Sequence, residues 1–402
     1  MRTKESTVNF VGKHQKIGID GATGVSLHCH TVHSKEILDF VPYYAERIPF
    51  IAPLWRRKMQ QLRSVNGALP DFQRGYWEPP LQGRSVVESE TVTINNLGLK
   101  ALVSITDHDT IAANLELRTE NRRSDIPISM EWTVPFENAF FHVGVHNLPI
   151  GSAEVIAKDL LDYTYDGGEP NGERLSELFR SLHELPEILV VLNHPIWDIE
   201  MIGQSEHEAA LWRFLEKHEE HIHAIEVNGF RSWSENQAAV DLAESRSIPL
   251  ISGGDRHCCQ PNTMINVTNA ASFSEFVDDI RTFKTSQVVV LPDYSKPLPT
   301  RQLASIANIL SDYRHADGTR MKWSDRVYLD HRDGNGKVSL REHWNGRVPI
   351  WATFGVSACR LAGHRYFAPF MNILVGDIDI GRNETSVARD KGFQVNGTVA
   401  EA

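Results

Sequence analysis

Short, nearly unbroken apolar runs alternate along the chain with stretches whose apolar residues recur at helical spacing. Runs such as ALVSIT and ILVVLN have the continuous apolar character of strands buried on both faces, as parallel strands under helices are. The pattern predicts strands at 24–29, 100–105, 126–130, 140–145, 188–192, 222–227, 248–252 and 287–291. Helices are predicted between them at 85–97, 153–163, 172–184, 206–219, 234–245 and 273–284. Such alternation means βα units on a parallel sheet, closed as a barrel or left open.

Two regions break the rhythm. Residues 37–84 are rich in Pro and aromatics (FVPYYAERIPFIAPLW, then YWEPPLQG), and an insertion this long is functional or has structure of its own. Leaving just after the first histidine motif, it is expected at the mouth of a site there. Its Tyr43, Tyr44, Trp55, Tyr76 and Trp77 with Arg56, Arg57 and Arg63 suit a substrate lid, or alternatively a small packed subdomain. After about residue 292 the βα alternation stops, which divides the chain into 1–292 and a C-terminal extension, 293–402. Within the extension, HRDGNGKVSLRE at 331–342 sets Asp333, Asn335 and Glu342 at EF-hand positions, but His331 stands where the first ligand should be Asp. Its flanks alternate like strands, so a β-hairpin is expected. The apolar stretch 348–376 is interrupted by Arg360, His364 and Arg365 and reads as a buried segment, not a bilayer span.

The 402 residues suffice for one large barrel with an appendage, and 41% hydrophobic residues is ordinary for a globular protein. A net charge of −11 argues against broad binding of nucleic acid or of anionic membranes. Four cysteines in so long a chain are no disulfide framework, and the N-terminus has no apolar signal region, so a reducing, cytoplasmic setting is expected.

The chemistry lies in where histidines and carboxylates fall: they collect at the C-terminal ends of the predicted strands, the face on which β/α barrels build active sites. LHCHTVHS carries His28 and His30, two apart and so on one side of a strand, with Cys29 facing the other way into the core. SITDHDT carries Asp107, His108 and Asp109, where Asp109 or Thr110 could also cap the next helix. ISMEW ends in Glu131, a carboxylate costly to bury unless paired or metal-bound. FFHVGVHN carries His142 and His146, VVLNHPIW carries His194, and ISGGDRHC carries Asp255 and His257. Each alone suits an ordinary buried histidine; six at successive strand ends read as a multinuclear site for Zn, Mn or Fe.

The order HxHT…TDHDT…E…HxG…NHP…GxDxH resembles the PHP (polymerase and histidinol phosphatase) family of metal-dependent phosphoesterases, over roughly residues 24–290. The resemblance implies a distorted (β/α)7 TIM-like barrel with up to three divalent metals on its C-terminal face. It implies that His28, His30, Glu131 and Asp255 hold the first metal, that Glu131 bridges to a second completed by His142 and His194, and that His108 and His257 hold a third. The last ligand departs from the family pattern. Lys35 and Glu36 stand where relatives place Asp or His, which leaves Glu36, or less favourably His33, to complete the site. Ser26 stands where relatives usually have Asp.

The function so implied is that of a phosphoesterase acting on a small phosphorylated metabolite or nucleotide through a metal-activated water. Asp255, Glu131, His257 and Asp107 are its candidate catalytic residues; Arg231, Arg256 and Lys35 are candidates for phosphate contact. If Asp255 and His257 share a face, Arg256 points elsewhere. The alternatives are a metal-dependent hydrolase of another bond, such as an amide, and a non-catalytic metal-binding module.

Overall fold

The computed structural model describes residues 6–11, 21–38, 40–47, 52–67, 69, 71–121, 125–166, 172–314, 318–330, 337–364 and 366–367. Ten strands form its two large sheets, numbered here in chain order. They are β1 (Ser6–Phe10), β2 (Thr23–Ser26), β3 (Lys100–Val103), β4 (Met130–Phe136) and β5 (Ala139–His146), then β6 (Leu189–Leu192), β7 (Ala224–Asn228), β8 (Leu250–Gly253), β9 (Met264–Thr268) and β10 (Ser286–Val290). One sheet has the order β1-β10-β9-β2-β3 and the other β8-β7-β6-β5-β4.

The architecture is mixed α/β, and its hydrogen-bonded ladders do not close into a regular barrel. The sheets meet instead at two single-residue parallel bridges, Cys29↔Arg256 beyond β2 and β8, and His108↔Glu131 between the end of β3 and the start of β4. The sheets are also not all parallel. β4 and β5 form an antiparallel hairpin through Glu137, which has a left-handed φ of 56°, and β9 runs antiparallel to both of its neighbours. The apolar run 126–130 predicts a strand ending at Glu131; the strand instead begins at Met130, so Glu131 sits at its entry. The apolar pattern does not reveal β1 or β9, because β1 is short and only partly buried and MINVT mixes polar with apolar residues.

Between the sheets pack Val25, Leu27, Leu102, Leu189, Val191, Ala224 and Ile251, with Phe273, Phe276, Val277 and Ile280 of the helix Phe273–Arg281 below them. Burying each such side chain stabilises the fold by about 1.5–3 kcal/mol. This floor holds the strand ends in place, so the loops above it can carry polar groups. The helices Glu173–Glu184 and Gln204–His218 cover the outer face of the second sheet with Leu175, Phe179, Leu211 and Phe214, as their apolar spacing requires.

The insertion has structure of its own: helices Phe40–Arg47 and Ala52–Asn66, then a strand Gly75–Trp77. That strand pairs on one side with Glu36–Ile37 and on the other with Val327–Asp330, which in turn pairs with Lys337–Ser339. The pairing of 327–330 with 337–339 has the form of the expected hairpin; its turn, 331–336, lies outside the described residues. The helix Ile350–Ala362 buries only Ala352 and Val356, and its end packs closely enough that a Cβ at Gly363 would run into Leu303 O and Ala307. Ile350, Trp351 and Phe354 are exposed, so this part of 348–376 is not the buried segment expected; 368–376 lie outside the described residues. No helix among the described residues is long and apolar enough to cross a membrane.

Candidate metal centre

The backbone leaves each strand of the site by a sharp turn. β2 ends at Ser26, two residues before the first histidine, and His28 has a left-handed φ of 63°. His194 (φ 26°), Asp255 (φ 50°) and Asp109 (φ 53°) share that conformation. It is unfavourable for side chains of this kind, by order 1–3 kcal/mol each, and tends to persist where surrounding structure imposes it at functional sites. His28 and His30 therefore reach one site through a turn rather than through strand alternation, while Cys29 is buried on the opposite side, against Ser26 and Asn262.

Glu131 is the centre of the cluster. Its Oε2 lies 3.0 Å from His28 Nε2, 3.4 Å from His30 Nε2 and 3.1 Å from His108 Nδ1. Its Oε1 lies 3.2 Å from His142 Nδ1 and 3.3 Å from His194 Nε2, and accepts a hydrogen bond from Asn193 Nδ2 at 2.9 Å. Asp255 Oδ1 stands 3.7 Å from both His28 Nε2 and His30 Nε2, and 3.3 Å from His257 Nδ1. Glu36 closes the solvent side, 3.3 Å from His108 Nε2 and 3.1 Å from His257 Nε2. Three groups have ligand atoms close enough to share a cation: His28, His30 and Glu131; His108, Glu131 and His142; and His30, Glu36, His108 and His257.

Burial raises the cost of every charge here, and the groups offset it for one another. Burial alone would push the Glu131 carboxyl up, but His28, His142 and His108 hold it well below the usual range. Asp255 is held low by His257, and Glu36 by His108 and His257, again against burial. Burial pulls His108 down, yet Glu36 and Glu131 raise it to about 10. His30 is depressed to about 3 by burial and by the neighbouring His257, and His142 to about 4 by burial. An electrostatic well this deep suits a divalent cation as well as it suits protons.

The remaining expected residues fall around this centre. His146 lies beneath it, with Nδ1 2.9 Å from Ser104 Oγ. Asp107 points away: its carboxylate accepts from Thr31 N at 2.5 Å and Thr31 Oγ1 at 2.7 Å, bracing the turn that carries His30. Asp109 accepts from Thr133 N at 2.8 Å and caps no helix, whereas Thr110 Oγ1 accepts from Ala112 N at 3.2 Å. His33 faces Glu116 at 3.0 Å, outside the cluster. Lys35 is exposed and reaches toward the Tyr76 ring instead of the centre.

The two arginines separate as strand alternation suggests. Arg256 is buried behind the site, 3.2 Å from Glu90 and donating to Gln260 O, so it is not available to a substrate. Glu90 also accepts from Ser26 Oγ at 2.9 Å, so a buried carboxylate stands beside the residue two before the first histidine. Arg231 stays at the site, its guanidinium 3.3 Å from the Trp197 ring centroid and 3.4 Å from Asp255 Oδ2. A capping box of Ser232 and Glu235 starts the next helix and fixes the residue after it. Of the insertion, Trp77 lies 6.2 Å from the His257 ring, and Trp55 packs on Phe72 5.5 Å away. The side chains of Tyr43 and Tyr44 lie outside the described residues.

Sequence reasoning missed Glu226. It is buried on β7, with Oε2 2.7 Å from His28 Nδ1, and Oε1 accepting from Asn228 Nδ2 at 2.7 Å and His194 N at 3.3 Å. The same signal that singled out Glu131, a lone carboxylate in an apolar run (AIEVN), was available for it.

Neither a scan of protein-family models nor a search of curated proteins returns a match. Among solved structures, the chain is similar to PsfC from Pseudomonas syringae, at 14% identity over 68% of this chain and 93% of that one, TM-score 0.35. It is similar to a putative metal-dependent phosphoesterase from Bifidobacterium adolescentis (14%, 64% and 96%, TM-score 0.34). It is also similar to a two-domain protein containing a predicted PHP-like metal-dependent phosphoesterase from Bacteroides vulgatus (14%, 67% and 68%, TM-score 0.36). Likenesses this shallow assign nothing to individual residues.

Proposed function

We propose that this chain is a metal-dependent phosphoesterase of the PHP type. In this reading β2 to β8 form a distorted seven-stranded barrel, closed at the site end by the two bridges. One observation carries the proposal. His28 Nε2, His30 Nε2, His108 Nδ1 and His142 Nδ1 gather around the Glu131 carboxylate, fully buried, and among the described residues neither they nor Glu131 Oε2 makes a hydrogen bond. Buried polar atoms are nearly always satisfied, and two or more cations shared within the cluster would satisfy these.

His28, His30, Glu131 and Asp255 would hold one divalent ion, and Glu131, His142 and His194, with His108 at hand, a second. Glu36, His108 and His257 would hold a third. Imidazole and carboxylate donors suit Zn, Mn or Fe. When bound, such ions neutralise an ester phosphate and lower the pKa of an attacking water. The carboxylates Glu36, Glu131 and Asp255 offset only about half of the roughly six positive charges that three such ions carry, which leaves the site attractive to an anion. Arg231, held flat on Trp197, offers donors for a phosphate oxygen. His257 donates Nδ1–H to Asp255 O at 2.9 Å, which leaves Nε2, 3.1 Å from Glu36, as the nitrogen that would hold the third cation and gives His257 no separate role in proton transfer. Asp107, spent on Thr31, has no part in it. The substrate proposed is a small phosphorylated molecule. A reducing, cytoplasmic setting belongs to the same proposal, and the four free cysteines support it.

The test is a panel of phosphate mono- and diesters and of amides, assayed on metal-stripped protein reloaded with Mn or Zn. Metal-dependent cleavage of phosphate esters is expected. Cleavage of amides alone assigns the other hydrolase class, and no turnover with a filled site assigns a binding module.

A further inference from the structure

The cluster is not equally enclosed. The side chains of His28, His30 and Glu131 are at most 1% exposed, whereas those of Glu36, His108 and His257 are 13–17% exposed. Solvent and substrate therefore meet the centre on the side of Glu36. Three contacts from the C-terminal extension reach the loops that carry site residues, and each is buried.

The first runs through Arg326, which is 1% exposed. Its Nη1 donates to Glu78 O at 3.1 Å, and its Nη2 to Ile309 O at 2.6 Å and Ser311 O at 2.9 Å. Glu78 N donates back to Arg326 O at 2.9 Å. The next residue, Val327, pairs with Trp77, and Trp77 pairs with Glu36. The backbone of Glu36 is thus the third rung of a ladder whose first rung belongs to the extension. The second contact runs through Arg301, 4% exposed, which donates to Gly229 O and, at 3.2 Å, to Arg231 O. Tyr294 Oη also donates to Arg231 O, at 3.1 Å. The third is Ser305 Oγ, 2.7 Å from the Sγ of Cys258, the residue after His257.

We propose that residues 294–314 and 318–329 are a positioning element for the loops that carry the centre. Through Arg326 they set Glu36 as ligand of a third cation, and through Arg301 they set Arg231 as an anion donor. The proposal rests on the metal-centre reading above. The physical reason is the shortness of the parts being held. Glu36–Ile37 is a two-residue strand, too short to keep register unless its partner is fixed. The loop 229–231 offers two carbonyls, which a buried guanidinium satisfies in one planar fork.

The experiment is calorimetric titration of the metal-stripped full chain with Mn²⁺, followed by titration of the loaded chain with inorganic phosphate. Wild type should take three Mn²⁺. Arg326→Met should keep two at wild-type affinity and weaken the third by about tenfold or more, as loss of an outer-shell support does. Glu36→Gln should give the same pattern, and the double variant should be no worse than either. Arg301→Met should keep three Mn²⁺ and bind phosphate about tenfold more weakly. If Arg326→Met does not fold, Arg326→Lys, which keeps the charge but loses the fork, is read the same way.

Three Mn²⁺ at wild-type affinity in the Arg326 variant overturns the proposal. So does equal weakening of all the ions, which would make the arginine a support of the whole fold. Wild type taking only two Mn²⁺ overturns it too, and leaves the phosphoesterase reading standing. The expected binding pattern without any phosphate-ester turnover does the reverse.

Discussion

Glu226→Gln tests how much of the metal centre depends on a residue that touches no metal. Glu226 accepts at both oxygens, from His28 Nδ1 at 2.7 Å on one side and from Asn228 Nδ2 at 2.7 Å and His194 N at 3.3 Å on the other. A glutamine of the same shape accepts at one atom only. With its NH₂ toward Asn228, two donors face each other. With its NH₂ toward His28, the ring must accept at Nδ1 and carry its proton on Nε2, the atom aimed at Glu131 and the candidate cation. Glu226 also helps Glu131 raise the His28 pKa against burial, so its loss makes the imidazole a weaker base. A hydrogen bond to a charged group contributes about 1.5–3 kcal/mol. That converts to about 10–100-fold in affinity for the ion held by His28, the usual range for such outer partners. The ion held by Glu36, His108 and His257 should bind as before. Gly253→Ala offers the same perturbation by another route, because its Cβ would run into the Glu226 carboxylate. Titration of metal-stripped protein with Zn²⁺ and a chelating competitor resolves the steps. A first-site affinity within twofold of wild type in a folded Glu226→Gln chain would refute the reasoning.

Glu131→Gln should abolish phosphate-ester turnover, by about 10³-fold or more, because on the proposed reading it removes the carboxylate that would be shared by two ions; activity within tenfold of wild type rules out a bridging role. Asp107→Asn should leave one Thr31 donor unpaired and shift the His30 turn, lowering Mn²⁺ affinity about tenfold without moving the pH limbs of kcat; a displaced pH limb would return Asp107 to proton transfer. Away from the site, burial depresses His218 to about 4 and His223 to about 2, both below the usual 6.5. The unfolded chain then binds more protons below pH 6.5, so stability is lost as pH falls from about 6.5, by about 1.4 kcal/mol per pH unit per group until each folded value is reached. Among the described residues neither ring nitrogen of His218 has a partner, and Phe136, Phe179 and Phe214 pack against it. His218→Phe should therefore flatten the acid limb of stability by about one proton in chemical denaturation at pH 5–6.5, and an unchanged slope refutes it.

Much of the centre was legible because each of its motifs is local. HxH, TDHDT, NHP and GDRH each place polar residues within a few positions of an apolar run, and chain order alone lines them up. Alternation predicted Cys29 and Arg256 away from the centre, and both are buried behind it, although the left-handed backbone at His28 and Asp255, not an extended strand, puts them there. Residues whose meaning depends on a distant partner were not legible. Glu226 meets His28 across 198 positions, and a single glutamate in an apolar run does not say whom it faces. Asp107 reads like its neighbour His108 until Thr31 is seen to occupy it.

The sequence by itself determined that strands and helices alternate and which residue types stand at the strand ends, because burial periodicity and turn chemistry act within a few residues. Tertiary structure alone decided the rest. It made β4 and β5 an antiparallel hairpin, so that Glu131 enters the centre at the start of a strand. It split the strands into two sheets that touch at single bridges. It also paired Glu36 with Trp77, and Trp77 with Val327. Backbone pairing uses amide and carbonyl groups that every residue but proline carries alike, so which strand lies beside which is settled only by the packing of the whole.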